Sequence, residues 1–471
     1  MQAGGRSSIC VLVVVLLVGT GCDGSEPPQS KSPPKSSASS PKDKLKPPAR
    51  VKPADVKSAL TSKNLRGCLY RERLDPSDYA GVYTGPEDLV SDQVETSREV
   101  DFVPPPVELL EPKAFDDAVV GNGVNVPVDE AVTTKMLAWA LGITPQGVNV
   151  NFFLGGNDSR LVAGFYNPND GNVVIEKKGK LDSEYIVMAH EFTHAAADQA
   201  FGLPPKKIEP IVDDASLASS SLVEGDASLA ELRVLSRFSP PKAVGKAVAA
   251  QLGFKDKFLK DRTGGVPYML IDIALFPYQW GLAFTCSVFK KEGWKGINRA
   301  YSRPPTTSAQ ILFPDRFLRG EKAQPTPPLG RPGPLWQVRD RGQIGAAHLK
   351  AMFEAPGDNE SQALSKPLAR AAAWAGGNYK VWTVGTAERE YAVGLSFVEH
   401  AEHKGLLCSS LERWYQTAFG NAEPKLVADG VVELEGTQQD AMLSCQGRDI
   451  TMTFAPTVEL AASTMGLKSN T

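Results

Sequence analysis

Histidine is scarce in this chain, with 5 in 471 residues, so a pair of histidines at a defined spacing carries information. Positive charge is not in excess. Lys and Arg number 51 against 54 Asp and Glu, for a net charge of -3, and no basic patch stands out in the part expected to fold. Nucleic acid is therefore not an expected partner. No internal repeat and no glycine-rich nucleotide loop is present. The 6 cysteines nowhere take zinc-finger spacing. The first apolar run, Ile9 to Val18, is too short to cross a bilayer.

That run has the character of an export signal. Arg6 precedes it, and Gly19-Thr20-Gly21 leads from it into Cys22. Small residues before a cysteine resemble a lipobox, although Gly19 stands where Leu is usual. Residues 1–21 are thus expected to be a lipoprotein signal peptide, with Cys22 acylated; a plain secretory signal is the alternative. Residues 22–60 are rich in Pro, Ser and Lys and too polar to bury a core, which suits a tether. The protein is expected to be exported and anchored in the cell envelope, in the periplasm or at the cell surface. Such a compartment permits disulfides. Of Cys68, Cys286, Cys408 and Cys445, the preferred pair is Cys408–Cys445.

The centre of the chain is His190-Glu191-Phe192-Thr193-His194. The spacing predicts a helix over Asp182 to Phe201, capped by Asp182 or Ser183 and stopped by Gly202-Leu203-Pro204-Pro205. Residues four apart lie on one helix face. His190 and His194 can therefore present two imidazoles to one zinc ion, with Glu191 beside them as general base. In a chain this poor in histidine, the pattern arises by chance roughly a few times in a thousand.

A zinc site needs a third protein ligand. Glu224, 30 residues after His194 on a second predicted helix (Asp214 to Arg237), is the preferred one. Gly225 and Ala227 would let that helix pack closely on the first. Asp213, Asp214, Asp226 and Glu231 compete, and Glu231 reads equally as a partner of a ligand or as surface charge.

Residues His190 to Gln199 followed by Leu222-Val223-Glu224-Gly225-Asp226-Ala227 resemble a family of exported or lipid-anchored gluzincin-type metalloproteins. Its further motifs recur as Phe276-Pro277-Tyr278-Gln279-Trp280-Gly281, Gly293-Trp294, Ala300-Tyr301 and Pro304-Pro305-Thr306-Thr307. The resemblance covers about residues 164–379. It implies an α+β, zincin-like metallopeptidase domain (61–330) with zinc on His190, His194 and Glu224, acting on peptide or protein substrates. One departure stands out: Phe313 occupies a position where the family often has His.

The remaining expectations concern the surroundings. Asp75 to Pro127 reads as irregular, and Val128 to Leu141 as a helix. Leu161–Tyr166 and Asn172–Glu176 form a hairpin whose edge strand borders the cleft or is an ordinary strand. Tyr268 to Lys291 is an apolar helix. Tyr278 and Tyr301 could each support an oxyanion or simply fill core. Ala323 to Pro334 reads as a linker or surface loop, and 335–471 as a small α+β module. Its helices are expected at Ile344–Glu354, Gln362–Ala375 and Leu407–Phe419, and its closing strands at Gly430–Glu435, Ala441–Cys445 and Asp449–Phe454. His400 and His403 read as exposed histidines on a charged helix end. A zinc-dependent peptidase is the leading expectation. A zincin-fold envelope protein that binds without hydrolysis, or a cell-wall amidase, are the alternatives.

Overall fold

The computed structural model describes residues 11–13, 65, 67–69, 85–121, 128–144, 162–178, 181–204, 213–249, 266–385, 391–420 and 423–467. Cys22, the tether and the leader other than Val11–Val13 lie outside them. The chain is α+β, with helices and a seven-stranded antiparallel sheet.

Three long helices meet in the first part. These are α4 (Leu181–Phe201), α5 (Asp214–Phe238) and α6 (Tyr268–Ser302). Helix α6 is long and apolar enough to cross a membrane by composition, yet 83% of its most apolar window is buried inside the protein. It is a core helix, bent at Gly293, where φ is 61°. Helix α5 crosses α6 at Gly225 and Gly281, where the two backbones touch. A Cβ on Gly225 would lie 2.3 Å from the Gly281 backbone. The sequence expectation that Gly225 makes room for α4 is thus corrected: it makes room for α6.

A small sheet lies beside α4. Strands β3 (Gly164–Asn167) and β4 (Asn172–Glu176) form the expected hairpin. Strand β2 (Val107–Leu110) adds in parallel to β4, and β1 (Val11–Val13) pairs antiparallel with the other side of β3, so neither hairpin strand is the edge strand expected, because both flanks are paired. Phe192, Ala195 and Ala196 of α4 pack against Tyr166, Val173 and Ile175 of this sheet. The fit is close at Gly164, whose Cβ would meet Val187 at 2.6 Å.

The stretch expected to be irregular before residue 127 is instead ordered as α1 (Pro86–Arg98), β2 and α2 (Pro112–Gly121). Both helices begin at proline, a residue that breaks a helix interior but suits its first position, where no N–H is needed. Helix α3 (Val128–Ala140) follows as expected.

The large sheet runs β5-β6-β7-β11-β10-β9-β8, comprising Gln337–Gln343, Trp374–Thr383, Tyr391–Glu399, Asp449–Ala455, Asp440–Gln446, Val431–Leu434 and Lys425–Ala428. Short helices α7 (Ser308–Leu312) and α8 (Pro314–Leu318) lead into it from α6. The helix expected over Gln362–Ala375 shrinks to α10 (Pro367–Ala371), and Trp374 already belongs to β6. Helices α9 (Ala346–Glu354) and α11 (Leu406–Phe419) lie on one face, while α12 (Val458–Met465) covers part of the other. The Pro-rich stretch 323–334 is a strap on the sheet, with Leu329 buried against Trp382 and Ala392. One hydrophobic cluster runs continuously from Leu65 through α5 and α6 to Phe454. Two disulfides, Cys68–Cys286 and the expected Cys408–Cys445, are present.

Candidate metal centre

Helix α4 places His190 and His194 on one face, their ring centroids 4.8 Å apart. Helix α5 brings Glu224 to the same point. Its Oε2 lies 3.3 Å from His190 Nε2 and 3.5 Å from His194 Nε2. A tetrahedral ion with ligand distances of about 2.1 Å separates neighbouring donor atoms by about 3.4 Å. The three donor atoms lie within 4.8 Å of one another, and all three residues are buried. Among the described residues, this is the one group of three His, Cys, Asp or Glu that converges so.

The surroundings complete the argument. Glu231, two turns beyond Glu224 on the same face of α5, lies 2.9 Å from His190 Nδ1. A carboxylate only accepts, so Nδ1 donates to it, and Nε2, which faces Glu224, is the atom that would bind an ion once its own proton is displaced. Glu231 thus meets His190 rather than standing as free surface charge.

Among the described residues, neither ring nitrogen of His194 and neither oxygen of Glu191 makes a close, well-aligned hydrogen bond, although both residues are essentially inaccessible. Buried polar atoms are seldom left so. A metal ion held by His190, His194 and Glu224 accounts for His194, and the N,N,O donor set suits zinc among other divalent ions.

The charge balance points the same way. Burial by itself would lower His190, but hydrogen bonds to Glu224 and Glu231 overcome it and raise its pKa. Burial opposes ionisation of Glu224 too, but the two histidines hold it below the usual carboxylate range. Burial lowers His194 and pushes Glu191 well above the ordinary carboxylate value. Carboxylates outnumber imidazoles at this point, which favours positive charge there, whether a proton on His190 or an ion in its place.

The other competing carboxylates are committed elsewhere. Asp213 caps α5, accepting from the amides of Ala215 and Ser216. Buried Asp214 accepts from Ser308 N at 3.0 Å. Asp226 faces Arg98 and Tyr301.

The tyrosines separate. Tyr278 hydrogen-bonds to Glu224, and burial together with that carboxylate and Glu191 raises its pKa well above the usual value. The Tyr301 hydroxyl donates to Asp226 at 2.9 Å, so it is committed to that carboxylate rather than aimed at the histidines. Phe313 is buried with its ring 5.0 Å from the Arg316 guanidinium, and offers the site no polar group.

Two features escaped the sequence reading. Asp198, a further turn along the His190–His194 face, accepts from the Tyr166 hydroxyl at 3.1 Å and from Leu203 N, tying β3 to α4 and closing the helix end. Gln199 clasps the backbone of Val103 in both directions. The Asp-Gln pair was visible in the motif, but its partners are remote in sequence. No protein-family model matches the chain, and neither a curated protein nor a solved structure matches it.

Proposed function

We propose that the protein is an exported, zinc-dependent metallopeptidase of zincin type, held at the cell envelope through Cys22. The observation that carries the reading is the convergence of His190, His194 and Glu224, with Glu191 buried beside them. A pure metal scaffold has no need of a buried general base. The two disulfides fit an oxidising compartment.

Zinc held by the three ligands would supply Lewis acidity at the scissile carbonyl. Glu191 takes the proton of the attacking water and returns it to the leaving amine. Tyr278, whose hydroxyl meets Glu224, is the residue we assign to steadying the developing oxyanion. The edge of β3 supports an extended peptide as substrate: Val11–Val13 already pairs there, antiparallel to Gly164–Tyr166. Removal of the leader releases this edge, and a substrate strand laid on it runs beside α4.

The test is elemental analysis and peptide cleavage with the purified exported protein. About one zinc per chain, lost in Glu224→Ala, with cleavage abolished in Glu191→Gln, is the expected result. Zinc without cleavage of protein or cell-wall peptides would favour a binding protein of the envelope, the reading that apolar Phe313 supports. An absence of zinc would end the peptidase reading and leave only the binding protein.

A further inference from the structure

Helix α5 has a second polar point on its far side. Asp226 follows Glu224 by two residues, about 200° around the helix, so it faces away from the histidines. It is fully buried, and Arg98 Nε lies 2.8 Å from one of its carboxylate oxygens and 3.1 Å from the other. The Tyr301 hydroxyl donates to it at 2.9 Å. Arg98 is itself only 1% exposed, with its guanidinium 4.5 Å from the Trp294 ring centroid and 5.7 Å from that of Phe201. Tyr301 stacks on Phe201 at 5.2 Å. The partners of Asp226 thus come from the end of α1 and from α6 beyond its bend, and both rest on Phe201, the last residue of α4.

A buried ion pair is a poor source of net stability, because desolvation offsets most of its attraction. It is, however, strongly directional, and here it grips α5 one step from the metal ligand. A carboxylate at the helix periphery stands about 5–6 Å from the axis, so a 20° rotation of α5 moves it by about 2 Å. Glu224 Oε2 sits 3.3 and 3.5 Å from its two histidine nitrogens, and such a rotation would take it out of a shared coordination sphere.

We infer that Asp226 is a positioning residue for the metal centre. Arg98 and Tyr301 hold it so that α5 cannot roll, and that fixed rotation places Glu224 between His190 and His194. The inference rests on the reading of these three residues as a metal site. It gives the buried arginine on α1 a task that its lack of contact with the histidines would not reveal.

The experiment compares the full exported chain with Tyr301→Phe, with the double variant Arg98→Met/Asp226→Asn, and with Glu224→Ala. The double variant removes both charges and so avoids stranding one in the core. Tyr301→Phe keeps the ring stacked on Phe201 and removes only the hydroxyl. Zn²⁺ and Co²⁺ affinities are measured by chelator competition, the visible spectrum of the Co²⁺ form is recorded, and thermal unfolding is followed separately. The expected result is a loss of about 10-fold or more in metal affinity, with a shifted Co²⁺ band, in both Tyr301→Phe and the double variant. Variants that melt earlier but keep wild-type affinity and the wild-type Co²⁺ spectrum would overturn the inference and leave the metal reading intact. Wild-type protein that binds neither ion would overturn the metal reading, and this inference with it.

Discussion

His190 and His194 sit on adjacent turns of buried α4; His400 and His403 sit in the turn that follows β7. Each pair is close, with ring centroids 4.8 Å apart in the first and 6.0 Å in the second. The second pair is not on a helix end, as its sequence suggested, and His403 is buried. What separates the pairs is the charge around them. Glu224 and Glu231 both face His190. The nearest carboxylate to His400 is Glu321, at 3.8 Å, and Arg316 shares it at 3.6 Å. Burial and the Arg316 charge lower His400, while burial and His400 lower His403. The carboxylates around the first pair favour positive charge on His190, whereas the Arg316 guanidinium beside the second pair opposes it.

The contrast can be broken most severely at Glu191. Glu191→Gln should keep zinc at about one per chain and lower kcat by about 10²- to 10⁴-fold, read by metal analysis alongside peptide cleavage. Next, Glu224→Ala should weaken zinc by more than about 100-fold, beyond what loss of an outer partner does. The double variant His400→Ala/His403→Ala should bind zinc as the wild type does. Equal losses in the two variants would end the distinction between the pairs. Glu231→Gln sharpens it, since only the charge on the His190 partner changes; chelator competition should show a loss of about 10- to 100-fold.

A smaller effect is expected at the helix crossing that presents Glu224. Gly225→Ala places a methyl against the Gly281 backbone and should cost about 1–3 kcal/mol in denaturant unfolding. A pH-dependent effect, felt in stability alone, is expected at another carboxylate on α5. Burial pushes Asp214 up from 3.8 to about 7. Between those values the folded state holds more protons than the unfolded one, so stability falls as pH rises across that window. Asp214→Asn should flatten this slope, the melting temperature of the variant gaining on that of the wild type from about pH 4 to pH 7.

Much of the local structure was readable. Helices α3, α4, α5 and α11 and the β3–β4 hairpin follow from apolar periodicity, stop signals and Asn-Asp-Gly turn chemistry. Prolines misled twice, because Pro86 and Pro112 start helices rather than break them. The large sheet was only partly visible. Strands β9, β10 and β11 alternate in pattern and were expected, as were strands over Tyr379–Val384 and Ala392–Val398, which fall on β6 and β7, whereas β5, largely exposed and charged, has no apolar signature and exists because β6 offers it an edge.

The sequence by itself determined the pairing of His190 with His194 and the place of Glu191, because i, i+4 geometry is a property of one helix. It also ranked Glu224 first among the carboxylates and Cys408–Cys445 first among the cysteine pairs. Only the tertiary structure decided that Glu224 reaches the histidines, that Glu231 holds His190, and that Asp226 and Tyr301 turn away toward Arg98. Those contacts depend on how α5 is rotated between α4 and α6. That rotation is set by the Gly225–Gly281 crossing and by a buried arginine 128 residues distant in the chain from its partner. No local pattern encodes an angle fixed by such remote packing.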